Sequence, residues 1–241
     1  MYSIDINGKK IDLREAVFPI LKIVDGNRYE LIGTGFYIGN NALFATARHV
    51  IEDVLDGDSS QELKTIHFTS DGKYVVRDLD IYTIHSQADV AAGLLMGIMF
   101  NDSKKILGNN HLALSERWPV VGETLVTYAY PKTTISYEEI QKIDVIPTVY
   151  EGVVLEVFPE GRDSIMLPSA CYCVEMEIAG GASGGPVFDE YGLVVAINST
   201  SYDGNNITFV SCAKDLLDLD ISENIEGERA TYVRDYIINI I

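Results

Sequence analysis

A serine enclosed by glycines, Gly181-Ala182-Ser183-Gly184-Gly185-Pro186, is the segment best suited to covalent chemistry. A serine hydroxyl that attacks a carbonyl needs a tight turn to expose it and backbone N–H groups aimed at the oxyanion that forms, and glycine permits that turn. The donors here would be the amides of Gly181 and Ser183. An ordinary glycine-rich β-turn has the same composition, so the hexapeptide alone leaves both readings open. A nucleophile elbow of the α/β-hydrolase kind is disfavoured, because strand-like Val187-Phe188 follows where that motif requires a helix.

The hydroxyl is a weak nucleophile until a base takes its proton, so a histidine is required elsewhere. His67 and His85 lie in strand-like runs, and His111 lies in the turn-like Asn109-Asn110-His111. His49 differs. It follows the apolar run Leu43 to Ala47 and begins a short helical stretch, Arg48 to Leu55, a junction that can hold an imidazole at the edge of a sheet. The competing reading is a surface histidine that starts a helix. A carboxylate must then fix the imidazole tautomer and stabilise the imidazolium. Asp89 opens the apolar Val90-Ala91-Ala92, where an acid at the strand edge needs a partner. Asp78 and Asp80, in a polar alternating stretch, read as solvent-facing, and Asp53 reads as a surface charge on the helix.

The elements that must position these groups are short apolar or alternating runs broken by turn residues, which are strand signals. The first half has Val17 to Val24, Tyr29 to Gly39, Ala42 to Ala47, Lys64 to Thr69, Lys73 to Ile84 and Asp89 to Gly97, with Asp71-Gly72 marking a hairpin. The second half has Glu123 to Tyr130, Val149 to Phe158, Ser164 to Leu167, Cys171 to Ile178, Pro186 to Phe188, Leu193 to Ser199 and Asn206 to Ser211. This pattern predicts an all-β chain of two antiparallel units with similar strand counts. Pro131 to Thr148 is the least patterned segment and reads as a surface loop. From Ala213 the pattern turns helical, and Tyr232, Val233, Tyr236, Ile237 and Ile240 recur at three- and four-residue steps, predicting a docked C-terminal helix. The expected division is residues 1–118, 119–212 and 213–241.

With 241 residues, 47% of them apolar and 22% charged, the chain has the makings of one compact body with a sizeable core. Its formal net charge of −18 opposes docking on phosphate backbones or anionic lipid, which argues against nucleic-acid and membrane partners. The N-terminus lacks the basic start and apolar segment of a secretory signal. The longest apolar run, Val90 to Phe100, is short of the roughly 18 residues needed to span a bilayer and reads as a buried strand. Three cysteines without an export signal fit a reducing cytoplasm and no disulfide framework. Period-two alternation puts Cys171 and Cys173 on one strand face, as packing groups. No cofactor is indicated, and acidic residues fall in no recognisable metal-ligand spacing.

Gly33-Thr34-Gly35-Phe36, Thr46-Ala47-Arg48-His49-Val50, Asp89-Val90-Ala91 and Gly181 to Pro186 follow one another in an order that resembles the trypsin-like (chymotrypsin-fold) serine peptidases, especially their bacterial members without zymogen activation. Val121-Gly122-Glu123 with Tyr130-Pro131, and Gly192 to Asn198, extend the resemblance over about residues 17 to 220. It implies two six-stranded antiparallel β-barrels with a substrate cleft between them. His49 would act as general base and acid, Asp89 would orient it, and Ser183 would form an acyl-enzyme during hydrolysis of a protein or peptide. Asn198, Ser199 and Thr200 match the strand that pairs with substrate and walls the specificity pocket. Glu177 aligns with the pocket-floor position where animal trypsins carry an acid, implying Arg or Lys preference. Ala182 stands where animal digestive members carry the Asp that pairs with a freshly cut N-terminus, so that activation switch is absent.

An uncontrolled intracellular peptidase would damage its host, so this reading includes control of Gly180 to Gly185 by a signal or protein partner, as in stress-response or anti-phage members that the layout resembles. The competing class is a peptidase fold that grips peptides without cutting them, which has no chemical need for His49, Asp89 and Ser183 together.

Overall fold

Sixteen short strands carry the architecture of a computed structural model that describes residues 2–4, 9–24, 28–55, 63–99, 104–137, 141–202, 206–222 and 231–237. Strands β1 (Tyr2–Ile4) and β2 (Lys10–Asp12) form a small hairpin ahead of the body. Then come β3 (Val17–Val24), β4 (Arg28–Tyr37), β5 (Leu43–Thr46), helix α1 (Arg48–Leu55), β6 (Leu63–Phe68), β7 (Tyr74–Ile84) and β8 (Ala91–Leu95). They close into an antiparallel barrel in the order β3-β4-β5-β8-β7-β6. Closure removes the sheet edges that would otherwise invite aggregation.

The second barrel uses β9 (Thr124–Ala129), β12 (Thr148–Phe158), β13 (Cys171–Glu175), β14 (Pro186–Phe188), β15 (Val194–Tyr202) and β16 (Ile207–Cys212). It closes as β12-β13-β16-β15-β14-β9. The two closed six-stranded barrels agree with the expected fold, and the Asp71-Gly72 hairpin is present, with Gly72 at φ 79°. Cys171, Cys173 and Cys212 are free thiols buried in this barrel. Burial raises the pKa of Cys171 to about 11, so it stays protonated and packs.

Three local expectations are corrected. Pro131 to Thr148 is not a plain loop: β10 (Thr134–Tyr137) and β11 (Gln141–Asp144) pair as a hairpin, in which Ser136 faces Lys142 and Ile135 faces Ile143. Ser164 to Leu167 is not a strand, because the Asp163 carboxylate accepts the N–H groups of Ile165 (3.0 Å), Met166 (2.6 Å) and Leu167 (3.4 Å) and curls the backbone around itself. The C-terminal segment is mostly not α-helix among the described residues. Its described residues form a 3-10 turn over Ala213–Asp218, a bridge between Asp220 and Tyr232, and the four-residue helix α2 (Val233–Tyr236), which is docked through Val233 and Ile237 as expected but is shorter; Ile240 lies outside the described residues.

The largest buried cluster runs from Ile11 through the first barrel to Leu216, Leu219, Val233 and Ile237. A second cluster, with Leu125, Val154, Tyr172 and Val195, fills the second barrel. The connector between barrels is paired into both: the N–H of Leu112 donates to Tyr37 O (2.8 Å), and that of Ser115 donates to Val194 O (2.9 Å). No helix among the described residues is long and apolar enough to cross a membrane.

Candidate active site

Strand β5 is buried along its whole length and ends at Thr46, so α1 starts at the barrel rim with His49 in its first turn. Asp89 stands just before β8, whose Ala91 pairs with Thr46. The ladder therefore brings the two residues together across a sequence gap of 40. His49 Nδ1 lies 2.8 Å from Asp89 Oδ2 and 3.0 Å from Oδ1, and the His49 backbone N–H also donates to Oδ1 at 3.0 Å. The Ser199 hydroxyl donates to Asp89 Oδ2 from the second barrel.

These contacts set the charges. Burial works against a charged imidazole, but the hydrogen bond and charge of Asp89, with Glu52 and Asp53 behind it, outweigh burial and raise the His49 pKa. Burial likewise pushes Asp89 up, yet the His49 ring, the Ser199 hydroxyl and the His49 N–H together hold it below the usual carboxylate range. With Nδ1–H facing a carboxylate, Nε2 is the free basic nitrogen.

Arg48 buttresses the pair. Its Nε donates to Glu52 one helical turn on (2.9 Å), and its Nη1 reaches the carbonyls of His85 (3.3 Å) and Ser86 (3.2 Å). The helix bearing His49 is thus tied to the loop bearing Asp89.

Ser183 sits in a turn whose shape depends on glycine. Gly181 and Gly184 have φ of 85° and 83°, and a Cβ on Gly184 would come within 2.1 Å of Thr46 Oγ1 and 2.3 Å of Thr34 O. The turn is held from the first barrel by Thr34. Its N–H donates to Ser183 O (2.8 Å), and its hydroxyl donates to Gly181 O (2.9 Å) while accepting the N–H of Tyr130 (3.2 Å). From the other side, Gly184 N–H donates to Asn198 O (2.8 Å). The N–H groups of Gly181 and Ser183 form no backbone hydrogen bond among the described residues.

A cleft of about 660 Å³ joins the parts, lined among others by His49, Asp89, Ser183, Ser199 and Thr200. Among the described residues the Ser183 hydroxyl makes one long contact, to Ser199 O at 3.4 Å, and no hydrogen bond to His49. Asn198 stands elsewhere than expected. Its side chain is buried beneath the turn, donating to Thr127 Oγ1 (2.7 Å) and Ala182 O (3.2 Å). Glu177 is exposed, beyond the end of β13, and is not among the residues lining the cleft. Of the competing acids, Asp78 pairs with Lys64 and Asp53 with Lys22, and Asp80 is exposed.

Two groups escaped the sequence reading. Ile165 and Met166 line the same cleft while 84% and 65% exposed, held outward by the loop that Asp163 caps. Thr34 was visible only as the middle of Gly33-Thr34-Gly35. The close approach of Gly33 to Val50 and Ser183 O, with a Cβ landing at 2.7 and 3.0 Å, is the reason for glycine there.

The model of the trypsin-like peptidase domain matches residues 33–197. The chain belongs to the trypsin-like peptidase family. It is a serine peptidase, and the family acts on peptides or proteins. A search of curated proteins finds no match to this trypsin-like peptidase. Its fold is shared with solved structures: Deg5 at 21% identity and TM-score 0.60, covering 83% of this chain and 85% of that one. The Rv3671c protease from M. tuberculosis in its active form follows at 17% identity and TM-score 0.58, covering 84% and 78%. The HtrA-type protease AlgW with tripeptide stands at 17% and 0.56, covering 83% of this chain and 57% of that one.

Proposed function

We propose that this serine peptidase hydrolyses peptide bonds through a Ser183–His49–Asp89 triad. The observation that carries the proposal is the His49 Nδ1 to Asp89 contact of 2.8 Å at the rim of a cleft that Ser183 also lines. The reaction requires the Ser183 hydroxyl to turn from Ser199 O toward Nε2 of His49, which lines the same cleft, and such bonds commonly tighten only with substrate bound. Oγ then attacks the scissile carbonyl as Nε2 takes its proton, and the oxyanion is met by the N–H groups of Gly181 and Ser183. His49 gives the proton to the departing amine, leaving an acyl-enzyme, and water repeats the sequence to release the acid. Asp89 holds the imidazole without itself taking a proton.

Substrate binds as an added strand. Beyond Ile197, β15 has no pairing with β14, so Ser199 to Ser201 present an open edge to the cleft. Ile165 and Met166 face the peptide on the acyl side and take an apolar side chain there. The role of Glu177 in selecting basic side chains has less support than this apolar wall. The unpaired cysteines favour a reducing compartment. Control by a signal or protein partner, as in a stress or anti-phage effector, completes this reading and would act on the Ser183 hydroxyl, which faces Ser199 O rather than His49.

The test is a fluorophosphonate probe with wild type and Ser183→Ala, alongside hydrolysis of an unfolded protein. Labelling at Ser183 and its loss with hydrolysis in the variant is the expected result. Hydrolysis that survives Ser183→Ala sinks the assignment.

A further inference from the structure

Asp89 is carried on a short turn that the core of the barrel hardly touches. Ile84, the last residue of β7, pairs with Ala91, the first of β8, and the His85 N–H donates to Val90 O at 3.0 Å to close the ladder. Between His85 and Val90 stand Ser86, Gln87, Ala88 and Asp89, of which Ala88 alone is buried. Ser86 and Gln87 are exposed and line the cleft. Apolar packing thus has a single methyl group by which to hold the turn. Yet the Asp89 carboxylate must meet His49 Nδ1 at 2.8 Å, the His49 N–H at 3.0 Å and the Ser199 hydroxyl together.

Side chains supply what packing lacks. The His85 ring folds back over its own turn, where Nδ1 accepts the N–H of Ala88 at 2.8 Å and that of Gln87 at 3.2 Å. Arg48 Nη1 takes the carbonyls of His85 and Ser86. The turn's donors go to one side chain and its acceptors to another. A ring nitrogen that accepts N–H groups carries no proton, so the N–H of His85 is on Nε2. This is the opposite tautomer to that of His49, whose Nδ1–H faces Asp89. Accepting the N–H groups two and three residues on is how a short Asp or Asn side chain fixes a tight turn, and here an imidazole takes that place.

We infer that His85 is a positioning residue of this peptidase: its unprotonated Nδ1 shapes the turn that presents Asp89 to His49. The inference rests on the Ser183–His49–Asp89 reading. His85 is not among the residues lining the cleft, so it acts through Asp89. Misplacing a group in a catalytic constellation by about 1 Å costs on the order of 100-fold in rate, and the two N–H groups held by His85 govern where Asp89 stands.

The test compares His85→Asn with His85→Leu in the full chain. Asn places Oδ1 where Nδ1 stands and can accept the same N–H groups, whereas Leu fills the space without an acceptor. On a peptide substrate His85→Leu should lose about 10- to 100-fold in kcat with KM within about twofold, and His85→Asn should keep kcat within about threefold of the parent. A parental kcat in His85→Leu overturns the inference, and so does a His85→Asn variant as slow as His85→Leu. Ser183→Ala is assayed alongside. Hydrolysis that survives it overturns the triad, whereas hydrolysis that it abolishes and His85→Leu leaves intact overturns only the role of His85. Independently of turnover, nitrogen NMR spectra of the Ser183→Ala chain at neutral pH should show His85 Nδ1 without a proton and Nε2 with one. A proton on Nδ1 overturns the inference, and this measurement decides should His85→Leu fail to fold.

Discussion

The backbone N–H of Thr34 donates to the carbonyl of Ser183 at 2.8 Å, across the seam between the barrels. The same residue grips Gly181 O through its hydroxyl. One buried side chain of the first barrel therefore sets the height of the turn that carries the nucleophile in the second.

Thr34→Val keeps the shape and removes the hydroxyl, leaving Gly181 O and the Tyr130 N–H unpaired. Leaving such groups unpaired costs about 1–3 kcal/mol, so the urea midpoint should fall. Turnover should fall more than KM rises, because Thr34 positions Ser183 without lining the cleft. A variant with unchanged midpoint and turnover would show the clamp to be idle.

The pH dependence has a definite sign. His49 works as a base when neutral, and the Asp89 carboxylate raises its pKa above that of an ordinary imidazole, so activity should appear as pH rises through a midpoint above the usual histidine range. Asp89→Asn removes the larger part of the upward pull, leaving Glu52 and Asp53 against burial acting downward. Its midpoint should move lower while the maximal rate drops by about 10⁴. Asp78→Asn and Asp80→Asn should shift neither quantity, as rate-against-pH curves for the variants will show.

Gly184→Ala and Gly122→Ala make a matched pair. Both positions have left-handed φ, 83° and 91°, but a Cβ meets Thr46 and Thr34 at Gly184 and open space at Gly122. Gly122→Ala should cost about 1–2 kcal/mol of stability and leave activity intact. Gly184→Ala should abolish probe labelling at Ser183 even where circular dichroism shows folded protein.

Replacing Ile165 and Met166 together by Asn should leave stability within about 0.5 kcal/mol, since both are exposed. Cleavage profiling on a peptide library should then lose an apolar preference on the acyl side, with kcat/KM on the best peptides down about tenfold. An unchanged profile removes these residues from substrate binding.

The fold was legible because short alternating runs and turn residues recur through both halves, and because His49, Asp89 and Ser183 each sit close to where an element begins. What the sequence hid lay where one side chain overrides a pattern. Asp163 takes three N–H groups that a ladder would have used, turning an apolar run into a presented loop. Arg77, within the polar alternation of Lys73 to Ile84, points into the barrel. Asn198 belongs to the matching strand but faces the core, because the register shift between Asn198 and Thr200 leaves Ser199 turned to the cleft. The β10–β11 hairpin carries few apolar residues to announce it, and its Tyr137 hydroxyl donates to the carbonyl of Tyr29 on β4 at 3.0 Å. Apart from the Asp163 turn, each of these depends on contacts between residues distant in sequence.

Ile11 and Ile237 share one buried cluster with the interior of the first barrel. The interior of the first barrel is complete only when residues more than two hundred positions apart have met, however early its first strands pair. A truncation that spares every chemical group but removes Val233 and Ile237 should therefore yield a protein unable to use them.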